Sequence, residues 1–171
     1  GFAAPRWVSG QIVKDDVDEI SVKFWVRTYR TPFLLEKTLT LKKNKPILYI
    51  EECVTNEGNE EMDFMWGHHP AIGEPFLDEH CVIDAPVRMV ETLDEVRTTN
   101  RSLPATYTDW PLVNSIDGHS KVDLSKIPPK TSNSIDMAFL TELDDGWYGI
   151  THTQRQVGFG MCWDKKVFPH I

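Results

Sequence analysis

The chain has 171 residues, 40 % hydrophobic and 26 % charged, which is enough for a buried core and too apolar for a disordered segment. Its 26 acids against 18 bases leave a net charge of −8, which argues against a nucleic acid or an anionic membrane as partner, since either selects a basic surface. Apolar runs reach about five residues, far short of the roughly twenty of a membrane-spanning helix, and GFAAPRWVSG lacks the basic start and long apolar stretch of a signal peptide.

Cys53, Cys81 and Cys162 are odd in number and form no CxxC pair, so neither a thiolate zinc site nor a disulfide framework is expected. Reduced thiols in a cytoplasmic protein account for them. Six tryptophans and eight phenylalanines suit a β-protein core, and such rings also line sugar sites.

The first element in chain order is EISVKFWVRTYR. It puts Ile20, Val22, Phe24 and Val26 on one face and Ser21, Lys23, Trp25 and Arg27 on the other, the pattern of a half-buried strand. LLEKTLTLKK and KPILYIEECVTN follow, joined tightly at KNK. In the latter, Leu48, Ile50 and Val54 share one face and Ile47, Tyr49 and Cys53 the other, which predicts a strand covered on both sides. Asn56 to Asn59 read as a turn. HCVIDAPVRMVET carries one or two strands, with Pro86 at a bulge or edge. Residues 93–133 are polar and proline-rich without clear period, a long excursion of the kind that forms lids or mobile segments. Three strands close the chain, over 135–140, 147–153 and 157–163, and LDDGW predicts an Asp-Gly hairpin between the first two. No segment of ten residues has a helical period, so the expectation is one all-β domain over 1–171, a sandwich or barrel of antiparallel strands.

One step stands out, WGHHP at residues 66–70. Gly67 permits close approach, and Pro70 pushes His69 toward an extended conformation. In an extended stretch His68 and His69 point to opposite faces, so one functional histidine with a structural neighbour is the natural arrangement. Three readings stand: ordinary strand-end residues; a metal site with Glu74, Asp78, Glu79 or His80, which the adjacency of the histidines disfavours; and general acid–base catalysis, which suits the pKa of histidine.

The run ILYIEECVTNEGNEEMDFMWGHHPAIGEPFL resembles the aldose 1-epimerase, or galactose mutarotase-like, superfamily in its divergent branches, where a His-Pro step follows a "tN" turn and a glycine. FLLEKTLTLKKNKPILYIEECVTN is similar to the preceding hairpin of that family, and DDGWYGITHTQRQVGFGMCWDKKVFPHI to the approach to its C-terminal catalytic strand. The likeness spans 33–171. It implies an antiparallel β-supersandwich with a sugar on its concave face. It also implies isomerase chemistry that needs no metal or organic cofactor: an acid protonates the ring oxygen while a base deprotonates the anomeric hydroxyl, and the ring opens and recloses on the other face. His69, before the proline, takes the place of the acid, and His68 supports it. Asp136, Trp66 and Arg155 are the candidates for sugar contacts, each with an ordinary structural alternative, and Trp163 is a further ring that could stack.

The match departs from the family in two places. Asn56 is followed by Glu57 rather than by a histidine, and no strand bearing the glutamate base follows VFPHI. The expectation is therefore the central part of a longer chain, incomplete at both ends and inactive alone, with exposed strand edges that favour self-association. A carbohydrate-binding sandwich without catalysis, or an accessory domain of a larger carbohydrate-active enzyme, is the alternative. No basic cluster flanks GHHP to hold a phosphate.

Overall fold

The structure is a computed structural model that describes residues 9–95 and 99–171. The chain forms two compact units, one up to Met65 and one from Trp66 onward. Regular structure in both is almost wholly antiparallel strand, as the period of two predicts.

The first unit is a four-stranded meander in sequence order: β1 (Ser9–Asp15), β2 (Glu19–Arg27), β3 (Phe33–Lys42) and β4 (Leu48–Asn56). Its register aligns the apolar positions. Val22 lies between Ile12 and Leu39, and Leu39 lies opposite Ile50, so one face carries a continuous aliphatic row. The other face is polar and pairs its charges across strands, with Lys23 Nζ 2.5 Å from Glu36 Oε1. Asn44, with φ of 60°, turns the chain between β3 and β4 where KNK predicts a tight connection. β4 differs from its expectation. It is an outer strand paired only with β3, and Leu48, Tyr49 and Ile50 are exposed, so apolar residues on both faces do not here mean two covering layers. β1 was not legible, because all seven of its residues are exposed and nothing selects an alternation.

Within the polar face, Ser21 and Thr40 sit opposite one another, buried, with their hydroxyls 2.8 Å apart. Each satisfies the other. Thr40→Val should therefore cost about 1–2 kcal/mol by orphaning the Ser21 hydroxyl, and Ser21→Ala added to it should recover most of that loss. Urea denaturation of the single and double variants checks this; additive losses would refute the pairing.

The second unit has two three-stranded sheets and a small hairpin. One sheet orders β10 (Ala138–Leu143), β6 (Val87–Thr92) and β7 (Tyr107–Asp109). The other orders β12 (Val157–Cys162), β11 (Trp147–His152) and β5 (Cys81–Asp84). β8 (Leu112–Asn114) and β9 (Lys121–Asp123) form the hairpin, so the stretch read as structureless holds three short strands and a 3-10 turn at Lys130–Ser132. Pro86 falls between β5 and β6, where the chain changes sheets and the missing N–H costs no ladder bond.

LDDGW is not a hairpin. β10 and β11 belong to different sheets, and the segment is a corner between them. Gly146 serves close approach rather than turn geometry: it is buried, its carbonyl accepts the Trp163 N–H at 2.8 Å, and a Cβ there would overlap the Trp163 carbonyl. The core centres on Val90, Val113 and Leu140, with Trp110 and Ile171 packed against them. Ile171 exchanges both backbone hydrogen bonds with Leu140, at 2.7 and 3.0 Å. Among the described residues no helix is long and apolar enough to cross a membrane.

Candidate functional site

A cavity of about 760 Å³ opens in the second unit, with walls from both three-stranded sheets: Ala138 and Leu140 from β10, Ile83 from β5, Tyr148 and Ile150 from β11. The segment 126–136, IPPKTSNSI with its flanking Lys126 and Asp136, supplies the remaining side, and Trp110 and Arg101 complete it. The alternation of β11 explains its part: Tyr148 and Ile150 share a face, and His152 continues it. Most of the wall is aliphatic, with two aromatic rings and a few polar groups, the usual make-up of a small-molecule site.

Asp136 is the one expected sugar contact that lies in this wall. Its Oδ1 accepts from the Arg101 N–H (3.0 Å), the Ser102 N–H (3.1 Å) and the Ser102 hydroxyl (3.1 Å), and its Oδ2 accepts from Arg101 Nε at 2.5 Å. Burial alone would raise its pKa. The Arg101 guanidinium and the N–H donors outweigh that, so the carboxyl stays below its ordinary range. Asp136 thus orders the 101–102 backbone and orients Arg101, and its Oδ2, with one donor, keeps acceptor capacity. Arg101 was missed in the sequence because it lies in the stretch without periodicity.

The histidine step lies beside the cavity rather than in its wall. His68 is half-buried, edge-on to Phe168 at 5.5 Å between ring centroids. The Phe168 carbonyl accepts the Trp163 indole N–H at 2.8 Å, and the Trp163 ring leans on Tyr148 at 6.0 Å. Ring contacts at either end and this hydrogen bond in the middle therefore connect His68 to Tyr148, a cavity residue. His69 is exposed and outside any strand, and Trp66 is half-buried; neither lines the cavity. The opposition of His68 and His69 expected from an extended stretch agrees with one being packed and the other open to solvent.

Arg155 is engaged elsewhere. It donates to the Pro75 carbonyl and approaches Asp78 Oδ2 at 3.8 Å. Next to it is a pair that the sequence did not disclose. His152, 1 % exposed, has Nε2 at 3.1 Å from Asp78 Oδ2, while its Nδ1 accepts the Arg155 backbone N–H at 3.2 Å. With Nδ1 accepting, the ring proton sits on Nε2 and is donated to Asp78. The His80 N–H, chiefly, and then His152 hold the Asp78 carboxyl below its ordinary range against the effect of desolvation. Both nitrogens of His152 are thus committed, so this pair fastens the 73–80 segment to β11 and has no proton to offer a substrate. Its signal in the sequence was the histidine that continues the inward face of β11.

Among the described residues no group of three or more His, Cys, Asp or Glu is placed to hold a metal ion, and Cys53, Cys81 and Cys162 are free thiols, Cys81 buried. The geometry therefore offers a ligand-sized cavity with three cations and one carboxylate in its wall, and a separate exposed histidine, His69, outside it. No protein-family model, no curated protein and no solved structure matches this chain.

Proposed function

We propose that this chain is a carbohydrate-binding β-sandwich of the galactose mutarotase-like kind, which holds a sugar in the cavity of its second unit. The observation that carries the reading is the make-up of that wall: it includes two aromatic rings, Trp110 and Tyr148, the kind of group that stacks on the C–H side of a sugar ring, together with Arg101 as donor and Asp136 as acceptor for hydroxyls. About 760 Å³ accommodates a mono- or disaccharide.

A second reading, aldose 1-epimerase-like isomerisation, is favoured by the contact of His68 with Phe168, which brings the GHHP step to the VFPHI segment. In that reading His69 protonates the ring oxygen and a carboxylate base takes the anomeric proton.

Saturation-transfer NMR with glucose and galactose tests the first reading. Transfer from the protein to ring protons is expected, and Trp110→Ala should weaken binding about tenfold, the loss of one good stacking face. An absence of transfer to glucose, galactose and their acidic derivatives alike would remove it. Polarimetry of freshly dissolved sugars, with wild type beside His69→Ala, tests the second: acceleration that disappears in the variant supports it, and equal rates exclude His69 as the acid.

A further inference from the structure

The charge of the cavity runs against that of the chain. Its charged wall residues are three cations, Arg101, Lys126 and Lys130, and one anion, Asp136, in a protein with 26 acids and 18 bases. Asp136 faces a positive partner and takes four hydrogen bonds from Arg101 and Ser102, three of them on Oδ1. Arg101 meets it through Nε and its backbone N–H alone, and no other described group takes the terminal guanidinium N–H groups. Such a fork, with its orientation fixed from behind by a carboxylate, matches a carboxylate or phosphate in two parallel hydrogen bonds.

Lys126 and Lys130 stand at the rim, 69 and 85 % exposed. Their partners, Asp123 at 3.3 Å and Glu74 at 2.8 Å, lie outside the cavity wall. Exposed pairs of this kind are weak and readily exchanged for another anion. The cations that GHHP lacks are therefore supplied by Arg101 and by the 126–136 segment.

We propose that the cavity selects an anionic sugar, with its carboxylate or phosphate on Arg101 under the two rim lysines and its ring between Trp110 and Tyr148. The proposal rests on the sugar-binding reading and names the class of sugar.

Calorimetric titration with glucuronate, glucose 6-phosphate, glucose, acetate and inorganic phosphate, at low and high salt, tests it. One acidic sugar should bind at least about tenfold more tightly than glucose and lose that advantage as salt rises. Preference for glucuronate identifies the carboxylate as the anionic group, and preference for glucose 6-phosphate identifies the phosphate ester. Lys126→Gln with Lys130→Gln should weaken the acidic sugar several-fold at an unchanged Tm, and this surface variant keeps the test open if Arg101→Gln does not fold. Equal affinity for glucose and both acidic sugars would overturn the proposal and leave sugar binding intact. Acetate or inorganic phosphate binding as tightly as the acidic sugars would overturn both the proposal and the sugar reading in favour of a bare anion site. No binding of any sugar or anion would overturn both as well.

Discussion

Asp136→Ala should lower the stability of the second unit by about 3 kcal/mol, as expected when one member of a largely buried ion pair is removed and its donors are left without an acceptor. The side chain is 11 % exposed, and four donors converge on it from Arg101 and Ser102. The loss comes less from the pair itself than from the Arg101 charge and the Ser102 N–H left facing a hole. Its pH dependence is distinctive. The folded carboxyl titrates below the ordinary value of 3.8, so its contribution is complete above that value and fades as the pH falls through the lowered one. The gap in unfolding free energy between wild type and variant should be widest near neutrality and close on acidification. Urea unfolding followed across that range measures it; a gap independent of pH would show that the charge of Asp136 is not what the fold uses.

Gly146→Ala should cost about 3 kcal/mol as well, the upper end of what overpacking a well-filled site exacts. The backbone angle is not at fault, since only Gly118 among the described glycines has φ in the left-handed region. The cost is steric. The new methyl group would overlap the Trp163 carbonyl and stand 2.9 Å from the Lys165 nitrogen, and both are backbone atoms that no rotamer can move aside. The Gly146 corner would have to move away from the 163–165 segment, weakening the hydrogen bond from the Trp163 N–H to the Gly146 carbonyl. Gly73→Ala is the matched control: nothing lies within 4 Å of its added Cβ, and its Tm should stay close to wild type. Thermal unfolding of the two variants side by side decides the matter, and similar shifts would contradict the close approach.

What the sequence disclosed follows the same physics. β2 and β3 were legible because one face of each is apolar and the other polar, so a period of two is written into them. β4 was found from its alternation, with apolar residues on both faces, but its outer position was not, because pairing order leaves no mark in a strand's own composition. LDDGW shows the limit of turn chemistry. An Asp-Gly pair marks a change of direction, and a glycine needed for backbone contact with Trp163 looks the same as one needed for a hairpin. At the candidate site, Asp136 was singled out by resemblance and does stand in the cavity wall, while Arg101, Trp110 and Tyr148 come from three separated stretches that only the fold assembles. His152 and Asp78 are likewise far apart in sequence, and neither has a local pattern that announces the other.

The two pairing schemes also set different clocks. In the meander of the first unit every strand pairs with its immediate neighbour in sequence, so each ladder closes a short loop and gains hydrogen bonds at once. In the second, β5 at Cys81–Asp84 waits for β11 at Trp147–His152, and β6 at Val87–Thr92 waits for β10 at Ala138–Leu143. Long closures are paid in chain entropy before any contact returns it, and such topologies condense slowly. On refolding, amide protons of β2 and β3 should gain protection from exchange well before those of β5, whose ladder partner β11 lies more than sixty residues away.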